Sequence, residues 1–236
     1  MKKSLLTLVL AAGSLAAIAQ PTPAATPAPA ATSPTPAGYA ELLGATIAQV
    51  MSTGDPAELQ ALAARLARAA AVAPADWLPR YYQAYALIIN VFQSKEKGDI
   101  KDQTLDQAEA ALAQARQLKG DESELLTLQA YAYQARLGIS PMLRAQHYSS
   151  MVEEAVAQAE GLNPANPRPY LVAANNVYYT PRMFGGGAAA ARPLYEQAKA
   201  RFAAFQPASA LAPSWGKAQV LGRLQQYEVA AAAASK

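Results

Sequence analysis

The chain has 236 residues and is 52% hydrophobic, with abundant alanine and leucine, a composition that favours α-helix. It has no cysteine and one histidine, His147, which excludes disulfides, thiolate chemistry and multi-histidine metal sites. The formal net charge is +3 and would be close to zero without the two N-terminal lysines, which argues against a nucleic-acid-binding protein.

Residues 1–19 have the pattern of a secretory signal peptide. Lys2 and Lys3 supply the charged start, an apolar stretch follows, and residues 17–19 (Ala-Ile-Ala) fit a small-residue cleavage site. We therefore expect export to the periplasm or the extracellular space, with a mature chain that begins at Gln20. Because no cysteine follows the cleavage site, we expect no lipid anchor, and no later apolar run is long enough to predict a transmembrane helix.

Residues 20–37 alternate proline with alanine, threonine and serine, and six of the 17 prolines of the chain fall here. Such a segment lacks core-forming side chains and cannot form a regular helix. It predicts a disordered linker, followed by a helical domain over residues 38–236.

Capping signals and helical periodicity divide the rest of the chain into helices. Asp55 and Asp121 each precede a glutamate by three residues, which is the capping-box spacing that marks the beginning of a helix. Gly120, Gly138 and Gly161 follow periodic segments and are expected to end helices in the left-handed conformation. The predicted helices are 39–52, 56–72, 77–93, 103–118, 122–137, 141–160, 167–179, 188–205 and 213–231.

Two sequence patterns recur at a nearly constant spacing. Residues 83–86 (Gln-Ala-Tyr-Ala) recur at 129–132, and Ala174 and Ala218 follow at steps of 44 residues, each expected in the middle of a helix. The Ala-rich pattern that begins at Ala108 recurs 44 residues later. A fixed period of this size predicts stacked helix pairs, so the fold class is an all-α solenoid of antiparallel pairs closed by a ninth helix.

The chain resembles tetratricopeptide repeat (TPR) proteins, and more closely the exported TPR proteins of the Bacteroidota. The resemblance covers nearly all of 39–227, although the 44-residue period exceeds the usual 34. It implies a non-catalytic protein that binds a partner on the concave face of the array, and it implies no particular chemistry. The matching segments are 76–79, 81–82, 105–109, 163–168, 178–187 and 213–217.

No motif in the sequence predicts catalysis. Residues 185–190 formally fit a dinucleotide fingerprint, but a helix is expected before them where that motif needs a strand. His147 lies within a predicted helix without a nucleophile motif in the chain, and is expected to be structural or on the surface. We therefore expect no enzyme, no catalytic residue, no metal site and no cofactor.

Tyrosines cluster on the predicted first helices, which line the concave face of a TPR array. Tyrosine combines apolar area with a hydroxyl and suits a binding surface, although core packing is the alternative for each of them. The glycine-rich turn adds an arginine and free backbone N–H groups that suit an anion. The candidate binding residues are Tyr81, Tyr85, Tyr131, Asn175, Asn176, Tyr179, Arg182, Gly186 and Gly187.

These features favour two functions. The first is an exported scaffold that contacts a protein partner through the concave face. The alternative is a periplasmic protein that binds a small ligand or a peptide in an aromatic pocket on that face.

Overall fold

The computed structural model describes residues 37–234, which belong to one compact unit. The predicted signal peptide, and the predicted linker except Ala37, lie outside these residues. Within the described range, the chain forms nine α-helices and one short 3-10 helix, with no strand, and this confirms the all-α prediction. The helices are α1 (Tyr39–Ser52), α2 (Pro56–Val72), α3 (Leu78–Gln93), α4 (Gly98–Gln117), α5 (Glu122–Ile139), α6 (Pro141–Leu162), α7 (Arg168–Tyr179), α8 (Ala188–Ala204) and α9 (Lys217–Ala234).

The helices pack in the order of the chain. Each helix contacts the next, and the odd-numbered helices also contact one another, α1 with α3, α3 with α5 and α5 with α7. We call α1, α3, α5 and α7 the first helices, since each begins a pair. Their mutual contacts form an inner layer, which is the arrangement expected of stacked helix pairs.

The repeated alanines lie where the first helices pack. Ala84, Ala130 and Ala174, on α3, α5 and α7, are each fully buried. Ala218 departs from this pattern, because it lies exposed in the first turn of α9 and not in the middle of a helix. The connection between α8 and α9 is longer than the connections between the earlier helices, and it shifts the last helix out of the repeat register. The prediction that Ala218 lies in the middle of a helix was therefore wrong.

Several helix ends differ from the predicted ones. Gly138 and Gly161 lie inside α5 and α6, close to their C-terminal ends, and do not adopt the left-handed conformation. After α4 the left-handed residue is Lys119, with a φ of 60°, and the Gly120 N–H returns to the Ala115 carbonyl at 3.1 Å. Gly120 is required for a different reason, because a Cβ there would meet the ring of Trp77 at 2.8 Å.

The α4 helix begins at Gly98, five residues before the predicted start. A Cβ at Gly98 would meet the Ile139 side chain at 2.9 Å, so the glycine permits close packing against the end of α5. Asp99 lies in the first turn, where a negative charge is favourable.

Residues 205–216 connect α8 to α9 and cross the first helices. The Tyr82 hydroxyl on α3 donates to the carbonyls of Leu211 and Ala212, at 3.2 and 3.0 Å. The Leu211 side chain reaches Gly44 on α1, where an added Cβ would lie 3.3 Å from it. This segment therefore ties the last helix pair to the first two pairs.

Candidate functional site

An aromatic cluster fills part of the inner layer that the first helices form. Trp215, from the 205–216 segment, lies nearly parallel to the ring of Tyr131 at 5.4 Å between centroids and 5.2 Å from the ring of Tyr85. Its Nε1 donates to the Tyr81 hydroxyl at 2.7 Å. All four side chains are buried, so three of the predicted binding tyrosines pack in the interior.

A buried ion pair holds this cluster in place. The Arg168 Nη1 donates to the Glu124 carboxylate at 2.7 Å, and its Nη2 donates to the Pro213 carbonyl. Glu124 also accepts from the Tyr81 hydroxyl at 2.9 Å. Burial raises the pKa of Glu124, although Arg168 and the Tyr81 hydroxyl favour its charged form. The polar network fixes the 205–216 segment, and with it Trp215.

The cluster reaches the surface at the C-terminal ends of the first helices. Phe92, at the end of α3, is 42% exposed and lies 4.9 Å from the Tyr131 ring. The Gln219 amide on α9 donates to the Tyr131 hydroxyl at 3.1 Å. Burial raises the pKa of Tyr131 to about 12, so this side chain is a neutral phenol at physiological pH.

Tyr179, at the end of α7, is the most exposed aromatic side chain of this region after Phe184, at 70% and 72%. Arg223 on α9 donates to the Tyr179 hydroxyl at 3.2 Å, and its guanidinium lies 4.0 Å from the centroid of Tyr178. We call Phe92, Tyr178, Tyr179 and Arg223 the aromatic face. It joins side chains of α3, α7 and α9, and the buried Tyr131 of α5 lies beneath it.

The two predicted asparagines lie on α7 with different contacts. Asn175 accepts a hydrogen bond from the buried Tyr195 of α8 at 2.6 Å, so its side chain joins two helices. The Asn176 carbonyl accepts from the N–H and hydroxyl of Thr180 and thereby ends α7. Both are partly exposed beside the aromatic face.

The glycine-rich turn, residues 180–187, leads from α7 to α8. Thr180 follows the last residue of α7, and Gly185 and Gly187 have φ values of 84° and 96°. A Cβ at Gly186 would lie 2.3 Å from the Thr180 carbonyl oxygen, and one at Gly187 would lie 2.9 Å from Cγ of Arg182. Arg182 is exposed and lies against this turn, whereas Tyr179 contacts Arg223 instead.

The sequence interpretation missed Phe92, Trp215, Gln219 and Arg223. The last two could have been found, because Gln219, Arg223 and Tyr227 recur every four residues and must share one face of a helix. No local signal marks Trp215, whose partners are 84 to 134 residues away in sequence.

A cavity of about 490 Å³, which includes none of the aromatic-face residues, lies among α4, α5 and α6. It is lined in part by His147, Tyr148, Asp106 and Glu109, and the two carboxylates pair with Arg136 at 2.5 and 2.8 Å. His147 is exposed, as expected for a surface histidine. The acidic wall disfavours an anionic ligand here.

Two general properties bear on function within residues 37–234. No cluster of three metal-binding side chains occurs there. None of the helices in this range has the length and apolar character needed to cross a bilayer.

Comparison with known proteins gives one informative similarity. The chain is similar to the solved structure of the HusA haemophore from Porphyromonas gingivalis, with 37% sequence identity and a TM-score of 0.72, over 81% of this chain and 94% of that one. No family model and no curated protein matches the sequence. The TPR resemblance therefore remains a prediction.

Proposed function

This chain belongs to the family of the HusA haemophore, and from that membership we propose that it is an exported haem-binding protein and not an enzyme. A haemophore is, by its name, a carrier of haem. This proposal favours the small-ligand alternative from the sequence over the protein scaffold. Export rests on the predicted signal peptide, and haem here is a cargo and not a resident cofactor.

The observation that carries the proposal is the aromatic face. Haem is a flat, largely apolar ring, and rings of this kind bind by stacking on aromatic side chains and covering apolar surface. Phe92 and Tyr179 offer such side chains at the protein surface, and Met183 and Phe184, four and five residues after Tyr179 in the chain, are exposed as well. The buried Trp215, Tyr85 and Tyr131 form a rigid support beneath them.

The turn after α7 also exposes apolar side chains next to the aromatic face. Met183 and Phe184 are 83% and 72% exposed, in a turn whose glycines fix its path. Adjacent exposed apolar side chains are typical of ligand or partner sites in soluble domains. In this proposal Tyr85 and Tyr131 support the binding surface from the interior. Tyr81 belongs to the buried polar network with Glu124 and Arg168.

Titration of the purified protein with haem tests the proposal. We expect a saturable change in the haem absorbance and quenching of the tryptophan fluorescence, because Trp215, one of the two tryptophans, lies close to the aromatic face. Tyr179→Ala should weaken binding about tenfold, because it removes a stacking ring, while Tyr179→Phe keeps the ring and should lose less affinity than Tyr179→Ala.

His147→Ala is the matched control, because it changes the cavity among α4, α5 and α6 and leaves the aromatic face intact. It should leave haem affinity unchanged. Absence of saturable binding to the wild-type protein would overturn the proposal. Loss of binding in His147→Ala with retention in Tyr179→Ala would move the site to the cavity among α4, α5 and α6.

A further inference from the structure

Charged residues are distributed unevenly along the chain, which the near-neutral total conceals. Between residues 168 and 234 the sequence has seven lysines and arginines and two acidic residues. Between residues 37 and 167 it has ten basic and 15 acidic residues. The aromatic face takes Phe92 from the acidic part of the sequence and Tyr178, Tyr179 and Arg223 from the basic part. The guanidinium of Arg223 therefore supplies a positive charge beside these rings, which favours an anionic group of a ligand there.

Arg223 differs from the paired arginines of the protein. Arg116, Arg136, Arg144 and Arg168 each form a hydrogen-bonded ion pair with a carboxylate. Among the described residues, the hydrogen-bond acceptors of Arg223 are neutral: the Gln226 side chain at 2.8 Å and the Tyr179 hydroxyl at 3.2 Å. An arginine remains charged at physiological pH, so this guanidinium can still bind an anion.

The ring of Tyr178 fixes the orientation of this guanidinium. A cation 4.0 Å from an aromatic centroid is held by the ring, and the hydrogen bond to Tyr179 restricts it further. The Tyr179 oxygen accepts from Arg223, so its own proton is available to donate to the same anion. The two side chains therefore present donors side by side at the edge of the aromatic face.

A second arginine lies near by without a carboxylate partner in the described chain. The guanidinium of Arg192 on α8 lies 5.8 Å from the centroid of Tyr227, which shares the Gln219–Arg223 side of α9. The acidic residues of α8 and α9 are Glu196, which pairs with Lys199 at 3.7 Å, and Glu228. Positive charge thus exceeds negative charge around this edge.

From this arrangement we propose that Arg223, together with the Tyr179 hydroxyl, binds a carboxylate of the ligand. The ligand class is a flat apolar ring that carries carboxylates along one edge, and that edge faces α8 and α9. The inference rests on the proposed function, since haem and other natural porphyrins have this chemistry. It adds to the proposed function how the ring is oriented in the site and which side chain selects ligands that carry a carboxylate.

The test compares protoporphyrin IX with its dimethyl ester, which has the same ring but no free carboxylate. We expect the wild-type protein to bind the diacid about ten- to a hundredfold more tightly than the ester, as for a charge-assisted hydrogen bond. Arg223→Gln should reduce affinity for the diacid by about that factor, so that the variant binds the diacid and the ester about equally. Arg223→Lys should recover part of the loss.

Arg201→Gln is the matched control. Arg201, on α8, comes from the same basic part of the sequence. Its guanidinium lies 4.4 Å from the ring centroid of Tyr170, which is in the first turn of α7, at the opposite end of that helix from Tyr179. Its substitution should leave both affinities unchanged. Circular dichroism of each variant checks that the helices are retained.

The outcomes separate the two proposals. Equal affinity of the wild-type protein for diacid and ester overturns the carboxylate inference and leaves haem binding standing, whether or not the variants fold. Failure of the wild-type protein to bind haem, protoporphyrin IX or the ester overturns the proposed function itself. A wild-type preference for the diacid that Arg223→Gln leaves intact overturns the assignment to Arg223.

Discussion

Arg168 is a cation enclosed by the protein interior. It is fully buried, pairs with Glu124, and its guanidinium lies 4.9 Å from the centroid of Phe205. Its Nε is a buried nitrogen without a partner among the described residues. A buried charge is tolerated only when its partners remain in place, so the position of the 205–216 segment depends on this one side chain.

Arg168→Met should therefore destabilise the protein by about 3–5 kcal/mol, because it leaves the Glu124 carboxylate buried and unpaired. The double variant Arg168→Met/Glu124→Leu should be more stable than Arg168→Met alone, since neither charge remains. Urea unfolding followed by circular dichroism measures both. A single variant as stable as the wild type would show that the pair does not hold the segment.

The sequence could indicate that tyrosines matter but not which of them are exposed. Tyr81 and Tyr179 both lie on first helices, yet the first is fully buried and the second is 70% exposed. Part of the difference comes from Glu124 and Trp215, which bond to the Tyr81 hydroxyl from positions 43 and 134 residues away in sequence. Long-range packing of this kind leaves no periodic signal in a single helix.

At the scale of helices, an ionic cluster joins α4 to α5 and α6. Asp102 on α4 accepts two hydrogen bonds from Arg144 of α6, at 2.6 and 2.8 Å, and one from Arg136 of α5 at 3.1 Å. The hydrogen bonds from Arg144 are the main reason that the pKa of Asp102 is lowered, and burial only partly opposes them. The cluster therefore stabilises the packing of three helices while Asp102 is ionised.

The lowered pKa of Asp102 determines how the stability of the protein changes with pH. The unfolded aspartate titrates near pH 3.9, so the stabilisation is complete above that value and is lost as the pH falls through the folded pKa. Asp102→Asn should cost about 1–3 kcal/mol at pH 7, and the difference from wild type should shrink towards pH 2. Denaturant unfolding across this range measures it, with Glu153→Gln on the exposed side of α6 as control. A difference that does not change with pH would contradict this assignment.

Helix positions were largely predictable, whereas some helix ends were not. Asp55 caps α2 as predicted, since its carboxylate accepts from the Glu58 N–H at 2.8 Å, but the Glu58 carboxylate accepts from the Thr53 hydroxyl and not from the Asp55 N–H. Gly138 and Gly161 mislead because a glycine near the end of a helix can also remain helical. The early start at Gly98 depends on packing against Ile139, which local sequence does not reveal.

At the scale of the whole described unit, the 205–216 segment changes how the helix pairs depend on one another. In a simple repeat array each pair contacts only its neighbours, and unfolding can begin at one end. Here the last connection bonds to α3 through Tyr82 and reaches α1 through Leu211. The repeat period predicted the stacking, but the sequence held no sign of this long-range connection.

The helices should consequently unfold together with the 205–216 segment. In a Trp77→Phe background Trp215 is the remaining tryptophan, so its fluorescence reports on the segment while circular dichroism reports on the helices. We expect the two denaturation curves to coincide. Adding Tyr82→Phe removes the hydroxyl that bonds to Leu211 and Ala212, and should shift both curves together by about 1 kcal/mol. If the fluorescence curve shifts to lower denaturant while the dichroism curve does not, the segment is a peripheral attachment and the helix pairs are stable without it.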